Sequence, residues 1–431
     1  MSHNLPLRDF KWLSEEELQN FSIDQVDARG ATGFILEVTL RYPEKLHREH
    51  SSFPLAPEQL DISEDMLSPY AASCLKEITK KSKHRAKKLS ATFNDRKNYI
   101  CHGLNLKLYL ELGMELVEIH RGISFVQSDF IRGYIDTCTK KRASAPTKSR
   151  SNMWKLLSNS LYGKMIESVA KRMQCRFVFG SASAKKSHSS PLFKGHARIT
   201  DDFTISFLKK PRIRMNQSWA VGFSILELSK YIMFNMMYNI VKPRFPSGLS
   251  VLMSDTDSWI ILVEAESADE VMKKLAPAAD FSNYSASHPL FTSKRKNKVG
   301  YLKNECPSKE VTEFVGLRAK TYAIRVKSNN SKIEKISRLK GVKKVVRDRV
   351  PFEAMVECVE TQKEYSVTQY SIVAKKHTNR LVKSKKIAFS SFDDKRYLMC
   401  SRHSVPYGSM FIKHFRRTGA CFFCVNRTAL C

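Results

Sequence analysis

Short apolar segments alternate with polar turns along most of the chain, and their spacing predicts both strands and helices. The segment "TGFILEVTLRYP" (residues 32–43) alternates like a strand and stops at its proline. Residues 104–122 have the apolar spacing of a helix, although Gly113 interrupts it. Residues 128–172 are strongly basic and have a mainly helical pattern.

The pattern continues in the second half of the chain. Residues 175–215 alternate and turn like β-hairpins around a Ser-rich loop, and a long helix is predicted from about Ser218. Residues 248–265 predict a hairpin, residues 267–276 a short helix, and "EFVGLRAKTYAIRV" (residues 313–326) a strand. Strands and helices alternate in the remaining basic part. Because helices and antiparallel strands occur in runs without regular βαβ alternation, we expect an α+β fold.

Charge adds an expectation about partners. The 431 residues contain 73 Lys and Arg against 42 Asp and Glu, a formal net charge of +31. Such an excess favours a polyanionic partner, most often nucleic acid. A basic protein without such a partner is the alternative. A membrane partner is not expected, because the most apolar window, residues 218–241, is broken by Glu227 and Lys230 and is typical of a buried helix.

The ten cysteines have irregular spacing, and the N-terminal "MSHNLPLRDF" is polar, without the apolar core of a signal peptide. We therefore expect reduced thiols in an intracellular protein that is not secreted, with nucleus and cytoplasm both open. Cys421 and Cys424 form "CFFC" near His414 and Cys431, where zinc is one interpretation. Without a second pair at suitable spacing, a loose C-terminal tail is the favoured one.

The hairpin at residues 248–265 contains "SDTDS", in which Asp255 and Asp257 are two residues apart. Carboxylates at this spacing lean to the same side of a strand end. Hard divalent cations such as Mg²⁺ take oxygen ligands, and two ions roughly 3.5–4 Å apart can assist phosphoryl transfer. Asp, Thr and Ser are also common turn residues, so this stretch alone favours an ordinary turn.

Two further motifs contain side chains of the types that contact the phosphate or sugar of a nucleotide. In "KLLSNSLYGK", Lys155, Asn159 and Tyr162 occupy positions i, i+4 and i+7, one face of a helix, and Gly163 leaves room for a close neighbour. In "GLRAKTYAI", Lys320 and Tyr322 alternate on a predicted strand and would face the same way. Taken singly, the first motif is better explained by an ordinary amphipathic helix and the second by an ordinary surface strand.

Together and in this order, the three motifs resemble those of family B DNA polymerases: Lys-x3-Asn-Ser-x-Tyr-Gly, then Asp-Thr-Asp-Ser, then Lys-x-Tyr. The Lys-x-Tyr element and the overall spacing are most similar to the protein-primed branch. The stretches "NLKLYLELGMELVEIHRGISFVQSDFIRGYID", "VGFSILELSK" and "FSSFDDKRYLMCSRHSVPYGS" resemble polymerases of Polinton (Maverick)-type mobile elements and related large viruses. The resemblance covers nearly the whole chain.

The resemblance implies a nucleotidyltransferase for DNA replication that uses two Mg²⁺ or Mn²⁺ ions, primer-template DNA and deoxynucleoside triphosphates, with a terminal (priming) protein as a further partner. Asp255 and Asp257 would be the catalytic metal ligands. Lys155 would contact the incoming triphosphate. The remaining roles implied are Asn159 and Tyr162 lining the nucleotide pocket, and Gly163, Lys320 and Tyr322 contacting DNA. The chain departs from the pattern at Met253-Ser254, where many relatives have Tyr-Gly.

The family's architecture implies a palm built on an antiparallel sheet, helical fingers and a C-terminal thumb-like region. The corresponding boundaries are 1–124 for a palm-associated region, 125–175 for fingers, 176–216 for a β-rich insertion, 217–330 for the palm and 331–431 for the thumb-like region.

The family also requires an aspartate on another strand, in a motif that this sequence lacks. The nearest match is "EVTLRYP", in which Glu37 stands six residues before the proline, and we interpret it as a misleading match. The opening "MSHNLPLRDFKWLSEEE" resembles the stretch that follows the missing motif in relatives, so we expect the motif upstream and this polypeptide to be nearly inactive alone. A catalytically dead, DNA-binding remnant of such a polymerase is the alternative.

Overall fold

The structure, a computed structural model, describes residues 3–78, 85–246, 248–296, 298, 300–328, 331–375 and 378–425. Helices and strands are mixed along the chain, as the sequence predicts. The strands are β1 (Leu5–Trp12), β2 (Thr32–Arg41), β3 (Glu58–Ser63), β4 (Arg85–Ser90), β5 (Arg96–His102), β6 (Glu115–Ser128), β7 (Met173–Phe179), β8 (Phe193–Arg198), β9 (Phe203–Lys209), β10 (Leu249–Ser254), β11 (Trp259–Val263), β12 (Lys309–Arg318), β13 (Thr321–Ser328), β14 (Ile333–Arg338), β15 (Tyr365–Lys375), β16 (Thr378–Phe389), β17 (Tyr397–Leu398) and β18 (Ser404–Val405). The α-helices are α1 (Glu15–Gln19), α2 (His47–His50), α3 (Pro69–Ile78), α4 (Gly103–Glu111), α5 (Arg132–Ala143), α6 (Lys148–Met165), α7 (Ser181–His188), α8 (Trp219–Asn235), α9 (Ala268–Lys274), α10 (Lys344–Arg347), α11 (Phe352–Thr361), α12 (Met410–Thr418) and α13 (Phe422–Val425).

The chain divides into two compact units. The first comprises Met1–Arg132, Leu226–Val367 and Lys386–Cys431, and the second comprises Gly133–Ile225 and Thr368–Lys385.

A four-stranded sheet in the first unit has the strand order β1-β6-β2-β5, and each neighbouring pair is antiparallel. Leu36, Val38 and Leu40 of β2 are completely buried. Because they are spaced by two residues, they lie on the same face of the strand and form part of the core. The strand predicted at residues 32–43 is therefore confirmed.

The helix predicted over residues 104–122 is correct only for its first half. Helix α4 ends after Glu111, and the chain continues as β6 from Glu115. Gly113 has a φ of +94°, a conformation that glycine adopts without steric cost. This residue reverses the chain, and the apolar residues beyond it pair with β2 instead of extending the helix.

The long helix predicted from Ser218 is confirmed as α8, which continues as a π-helix over Met236–Val241. Its Glu227 is buried, and its carboxylate accepts hydrogen bonds from Asn105 Nδ2 at 2.8 Å and from the His102 backbone N–H at 3.3 Å. Lys230 lies 2.5 Å from the same carboxylate. The acidic residue in this apolar window is thus a paired core residue. Within the described residues, no helix has the length and hydropathy needed to span a bilayer.

The second sheet of the first unit has the order β12-β13-β14 and is antiparallel. Helix α11 covers it, with Phe352 and Met355 packed in one buried cluster with Val315 and Ala323. The single strand predicted over residues 313–326 is wrong in one respect. The chain turns back between Arg318 and Thr321, so the segment forms two paired strands.

A separate cluster contains the C-terminal segment. Residues from β17 to α13 pack against α3 and β3, with Leu75, Tyr397, Phe411 and Phe423 among the buried members. The C-terminal region up to Val425 is therefore part of the folded first unit.

The second unit contains α5, α6 and a three-stranded antiparallel sheet with the order β7-β9-β8. Four residues join α5 to α6, and Lys141 lies 5.1 Å from the ring centroid of Trp154, so the two helices form a hairpin. The predicted Ser-rich loop is instead α7, which follows Gly180.

Candidate functional site

The two aspartates of the SDTDS motif lie in the turn between β10 and β11. The Asp255 backbone N–H donates to the Ser258 carbonyl at 3.0 Å, and the Asp257 N–H donates to the Asp255 carbonyl at 2.6 Å. Thr256 between them has a φ of +59°, in the left-handed region. The apolar strands Leu249–Ser254 and Trp259–Val263 pair on either side and hold this sharp turn in place.

A second turn brings a cation to the first aspartate. Lys320 Nζ lies 3.2 Å from Asp255 Oδ1. The prediction that Lys320 lies on a strand is wrong. Lys320 lies in the turn before β13 and has a φ of +62°. The register explains the difference, because Arg318 pairs with Thr321 and leaves the two residues between them outside the ladder.

Tyr322 lies on β13 and is half-buried. Burial raises the pKa of its phenol, and the negative charge of Asp255 raises it further. The phenol is therefore protonated at neutral pH and can donate a hydrogen bond. The structure thus brings Asp255 to Lys320 and Tyr322, two neighbouring residues that are far from it in the sequence.

The other predicted residues lie on α6 in the second unit. Lys155 and Asn159 are exposed, and Tyr162 is half-buried with a phenol pKa raised by burial. A Cβ atom at Gly163 would meet no other atom within 4 Å. Although α6 is 18 residues long, none of its residues is buried. Its surface is therefore accessible to a ligand.

The donor set in the SDTDS turn suits hard cations, because it consists of carboxylate oxygens. The ammonium group of Lys320 beside Asp255 indicates that this position stabilises positive charge. Among the described residues, however, the only group of three or more potential metal ligands lies elsewhere, at the C-terminus. Asp255 and Asp257 therefore form a partial site in which water and phosphate oxygens would have to complete the coordination.

Glu37, the candidate for a further carboxylate ligand, is bound within the first sheet. Its carboxylate lies 2.6 Å from Arg121 Nη2 and accepts a hydrogen bond from Asn98 Nδ2 at 3.2 Å. These contacts lower the pKa of Glu37, the Arg121 hydrogen bond most of all. The structure thus gives Glu37 a role in cross-strand pairing.

The interpretation of the C-terminal cysteines as a loose tail is wrong for the described part. Cys421 is buried, and the ligand atoms of Cys400, His403, Cys421 and Cys424 all lie within 4.8 Å of one another. His414 instead packs edge-to-face against Phe422, and Cys431 lies outside the described residues. The signal present in the sequence was the spacing Cys-x2-His-x17-Cys-x2-Cys.

Residues 10–169 match the family model for DNA polymerase type B, organellar and viral. This segment includes Lys155, Asn159, Tyr162 and Gly163 and ends before the SDTDS turn. Among curated proteins, none matches the chain significantly.

The structure is similar to phi29 DNA polymerase complexed with primer-template DNA and incoming nucleotide substrates. The TM-score is 0.50 at 15% sequence identity, and the match covers 90% of this chain and 55% of that polymerase. Two further phi29 DNA polymerase structures also match at 15% identity. The binary complex with primer-template DNA has a TM-score of 0.46 (89% and 54% coverage), and the orthorhombic crystal form has a TM-score of 0.48 (90% and 55% coverage).

At this identity the structural match shows the fold, and this chain spans little more than half of phi29 DNA polymerase. The family model over residues 10–169 and the fold agree with the resemblance predicted from the three motifs. Over residues 10–169 the chain therefore resembles DNA polymerase type B of the organellar and viral kind, and its fold is similar to that of phi29 DNA polymerase.

Proposed function

We propose that this chain is the core of a family B DNA polymerase from a mobile or viral element, an enzyme whose reaction is template-directed nucleotidyl transfer. The observation that carries the proposal is that Lys320, in the turn before β13, lies 3.2 Å from Asp255 in the SDTDS turn, with Tyr322 two residues further on near the start of β13. In the reaction, the 3′-hydroxyl of a primer attacks the α-phosphate of a nucleotide and pyrophosphate leaves.

The proposed architecture follows the boundaries given above. The SDTDS hairpin and strands β12 and β13 belong to the palm, the α5–α6 hairpin to the fingers, and most of the β7-β9-β8 sheet to the insertion. The segment from residue 331, which includes β14, belongs to the thumb-like region. The antiparallel pairing of the sheets and the exposed surface of α6 support this assignment.

Asp255 and Asp257 would hold two Mg²⁺ or Mn²⁺ ions. When bound, such ions neutralise the charge that develops on the attacking and leaving oxygens. Lys320 would bind the phosphate next to the primer end, and Tyr322 would donate its phenol hydrogen to the primer backbone. Lys155 would bind the triphosphate, Asn159 and Tyr162 would line the nucleotide pocket, and Gly163 would admit DNA close to the helix.

The partners would be primer-template DNA and deoxynucleoside triphosphates, with a terminal protein as primer in the protein-primed branch. The net charge of +31 supports binding to DNA, because basic side chains replace the counterions condensed on phosphate. The ternary complex of phi29 DNA polymerase contains primer-template DNA and incoming nucleotide substrates, which supports the same pair of partners here.

Template-directed nucleotide binding tests the proposal without requiring turnover. A primer-template whose primer ends in a dideoxynucleotide is bound to the chain in the presence of Mg²⁺, and each of the four nucleotides is added. We expect the complementary nucleotide alone to slow dissociation of the DNA, because only this nucleotide pairs with the templating base in the polymerase core. Equal dissociation rates with all four nucleotides would contradict the proposal. Extension of an unblocked primer in Mg²⁺ then measures the chemistry.

A DNA-binding remnant without catalysis is the second candidate. It is favoured by the engagement of Glu37 with Arg121 and by the two-carboxylate site at Asp255 and Asp257. A remnant binds DNA with an affinity that falls steeply with salt, by about 10³–10⁵-fold between 50 and 200 mM for six to ten phosphate contacts. Unlike the polymerase core, it shows no discrimination between nucleotides and no extension.

Lys155→Ala is expected to weaken nucleotide binding by about 10- to 100-fold, the loss typical for one hydrogen bond to a charged group. The affinity for primer-template DNA alone should change little. The matched control is Lys164→Ala, because Lys164 is on the same helix but pairs with Glu167 at 2.7 Å. The nucleotide dissociation constant of the ternary complex is measured for both. Equal values for the two variants would contradict the assignment of Lys155.

Lys320→Ala is expected to lower the salt dependence of primer-template binding by about one unit in the slope of log K against log salt, as for one lost phosphate contact. Titrations at four or five salt concentrations measure the slope. Lys327→Ala, which removes an exposed lysine from the far end of β13, provides the comparison and should keep the wild-type slope. A slope for Lys320→Ala that is unchanged from wild type would remove Lys320 from the DNA contact.

A further inference from the structure

Four metal-binding side chains meet near the end of the first unit. The ligand atoms of Cys400, His403, Cys421 and Cys424 all lie within 4.8 Å of one another. The described cysteines, these three included, are free thiols. The cluster shares no residue with the SDTDS turn and offers sulfur and nitrogen ligands in place of oxygen.

The distances within the cluster fit tetrahedral coordination. Cys400 Sγ and Cys424 Sγ are 3.7 Å apart, and His403 Nδ1 lies 3.2 Å from the first and 3.3 Å from the second. A tetrahedral ion with bonds of about 2.3 Å to sulfur and about 2.0 Å to nitrogen separates two sulfurs by about 3.8 Å and a sulfur from a nitrogen by about 3.5 Å. One cation at the centre could therefore reach all the ligands with small side-chain movements.

The local backbone presents the ligands in two pairs. Cys400 and His403 lie in the turn that joins β17 to β18, where the backbone N–H groups of Met399 and Cys400 donate to the His403 carbonyl at 2.9 and 3.3 Å. Cys421 precedes α13 and Cys424 lies within it. In each pair two residues separate the ligands. The whole pattern, Cys-x2-His-x17-Cys-x2-Cys, has the spacing typical of zinc sites.

The surrounding packing makes the cluster a fixed part of the fold. Phe423, between the two C-terminal cysteines, is buried in the same core cluster as Tyr397 and Phe411, and its ring centroid lies 5.6 Å from that of His403. Helix α12 ends at Gly419, which has a φ of +67° and turns the chain back toward the cluster. The ligand pairs therefore converge through tertiary packing of two segments.

The donor set selects the ion. Three thiolates and one imidazole are soft and borderline ligands, which favour Zn²⁺ and disfavour Mg²⁺. Four protein ligands complete a tetrahedral shell and leave no position for substrate, as in structural zinc sites. Binding releases the three thiol protons, because each cysteine binds as thiolate.

We propose that Cys400, His403, Cys421 and Cys424 bind one Zn²⁺ in a closed structural site. The ion links the β17–β18 turn to α13 and so fastens the C-terminal segment to the core formed with α3 and β3. This inference is independent of the proposed polymerase chemistry, and its test does not use enzymatic activity.

The metal content of the purified full chain tests the proposal. The protein is prepared without an affinity tag, under reducing conditions, and dialysed against metal-free buffer before elemental analysis. We expect about one zinc per chain for the wild type, close to none for Cys424→Ser, and the wild-type value for Cys175→Ser. Cys424 and Cys175 are both exposed thiols, so the two variants are matched except for their position.

Cobalt substitution tests the geometry. The Co²⁺ form of the wild type should show the strong visible bands of tetrahedral cobalt and thiolate-to-cobalt charge transfer. The Co²⁺ form of His403→Cys should keep a tetrahedral spectrum with a stronger charge-transfer band. In a separate measurement, a zinc chelator should lower the thermal unfolding midpoint of the wild type but not that of Cys424→Ser. A wild-type chain without zinc, a zinc content unaffected by Cys424→Ser, or a disulfide among the three cysteines in the purified protein would overturn the proposal.

Discussion

Asp257→Asn is expected to remove the dependence of complementary-nucleotide binding on divalent cations, with little change in DNA affinity, and to lower any primer extension by this chain by at least about 10²–10³-fold. The magnitude is that of losing one group aimed at charge that develops in the transition state. Asparagine has the shape of aspartate but no negative charge, so it cannot hold a divalent cation beside a triphosphate.

The two aspartates should differ in a measurable way. Asp257 is exposed and its backbone N–H donates to the Asp255 carbonyl, whereas the Asp255 carboxylate lies 3.2 Å from Lys320 Nζ. Asp255→Asn therefore also releases the lysine for phosphate. We expect Asp255→Asn to bind primer-template DNA somewhat more tightly than Asp257→Asn, although both lose metal-dependent function.

Glu264→Gln provides the matched control for both variants. Glu264 directly follows β11 of the same hairpin and is exposed, so its replacement removes one negative charge without touching the SDTDS turn. Extension rates, metal titrations of nucleotide binding and DNA affinities are compared for the three variants. Retention of wild-type extension and metal dependence by Asp257→Asn would refute the assignment of Asp257 as a metal ligand.

Sequence patterns predicted correctly those strands and helices whose conformation depends mainly on the residues within the segment itself. The apolar alternation of Thr32–Arg41 and the long apolar run after Ser218 were sufficient, because burial of one face or of the whole segment follows from the pattern. The pattern failed at Gly113, where the apolar residues on both sides are compatible with a helix. There a single glycine with positive φ decides the direction of the chain.

The site was predictable as a set of residues but not as an arrangement. The motifs placed Asp255, Lys320 and Tyr322 in one list, yet their proximity depends on the register of β12 and β13, which fixes where the chain turns. The same register moved Lys320 out of the strand and into the turn, where it reaches Asp255. Such positions depend on the register between paired strands, and this register cannot be predicted from the pattern of a single sequence.

The cysteine cluster was missed for a related reason. The candidate ligands nearest to Cys421 and Cys424 in the sequence are His414 and Cys431. The ligands that the structure places beside them, Cys400 and His403, are in the β17–β18 turn. The chain reverses at Gly419, after α12, and this reversal brings Cys421 and Cys424 to the β17–β18 turn. A search for a second Cys/His pair 15–20 residues away would have found Cys400 and His403 from sequence alone.

Arg96→Met is expected to reduce the free energy of unfolding by about 3–5 kcal/mol, the cost typical of removing one partner from a buried charged network. Arg96 is 1% exposed, and its guanidinium donates to the Ala56 carbonyl at 2.7 Å and to the Thr92 carbonyl at 3.0 Å. It also lies 3.2 Å from Glu58 Oε1. Methionine fills the volume but leaves these acceptors buried without a donor. The effect should be centred on the loop before β3 and the segment between β4 and β5, inside the family-matched part of the chain.

Arg85→Met is the matched control, because Arg85 also pairs with a carboxylate of β3, Asp61, at 2.6 Å, but its side chain is 79% exposed. A surface pair of this kind contributes about 0–1 kcal/mol, since water solvates both charges when the pair is broken. Denaturant unfolding of both variants gives the free energies, and hydrogen exchange of residues 55–60 and 92–98 locates the change. A loss for Arg96→Met no larger than for Arg85→Met, with unchanged exchange in these segments, would mean that the buried guanidinium is replaceable and that apolar packing alone holds this junction.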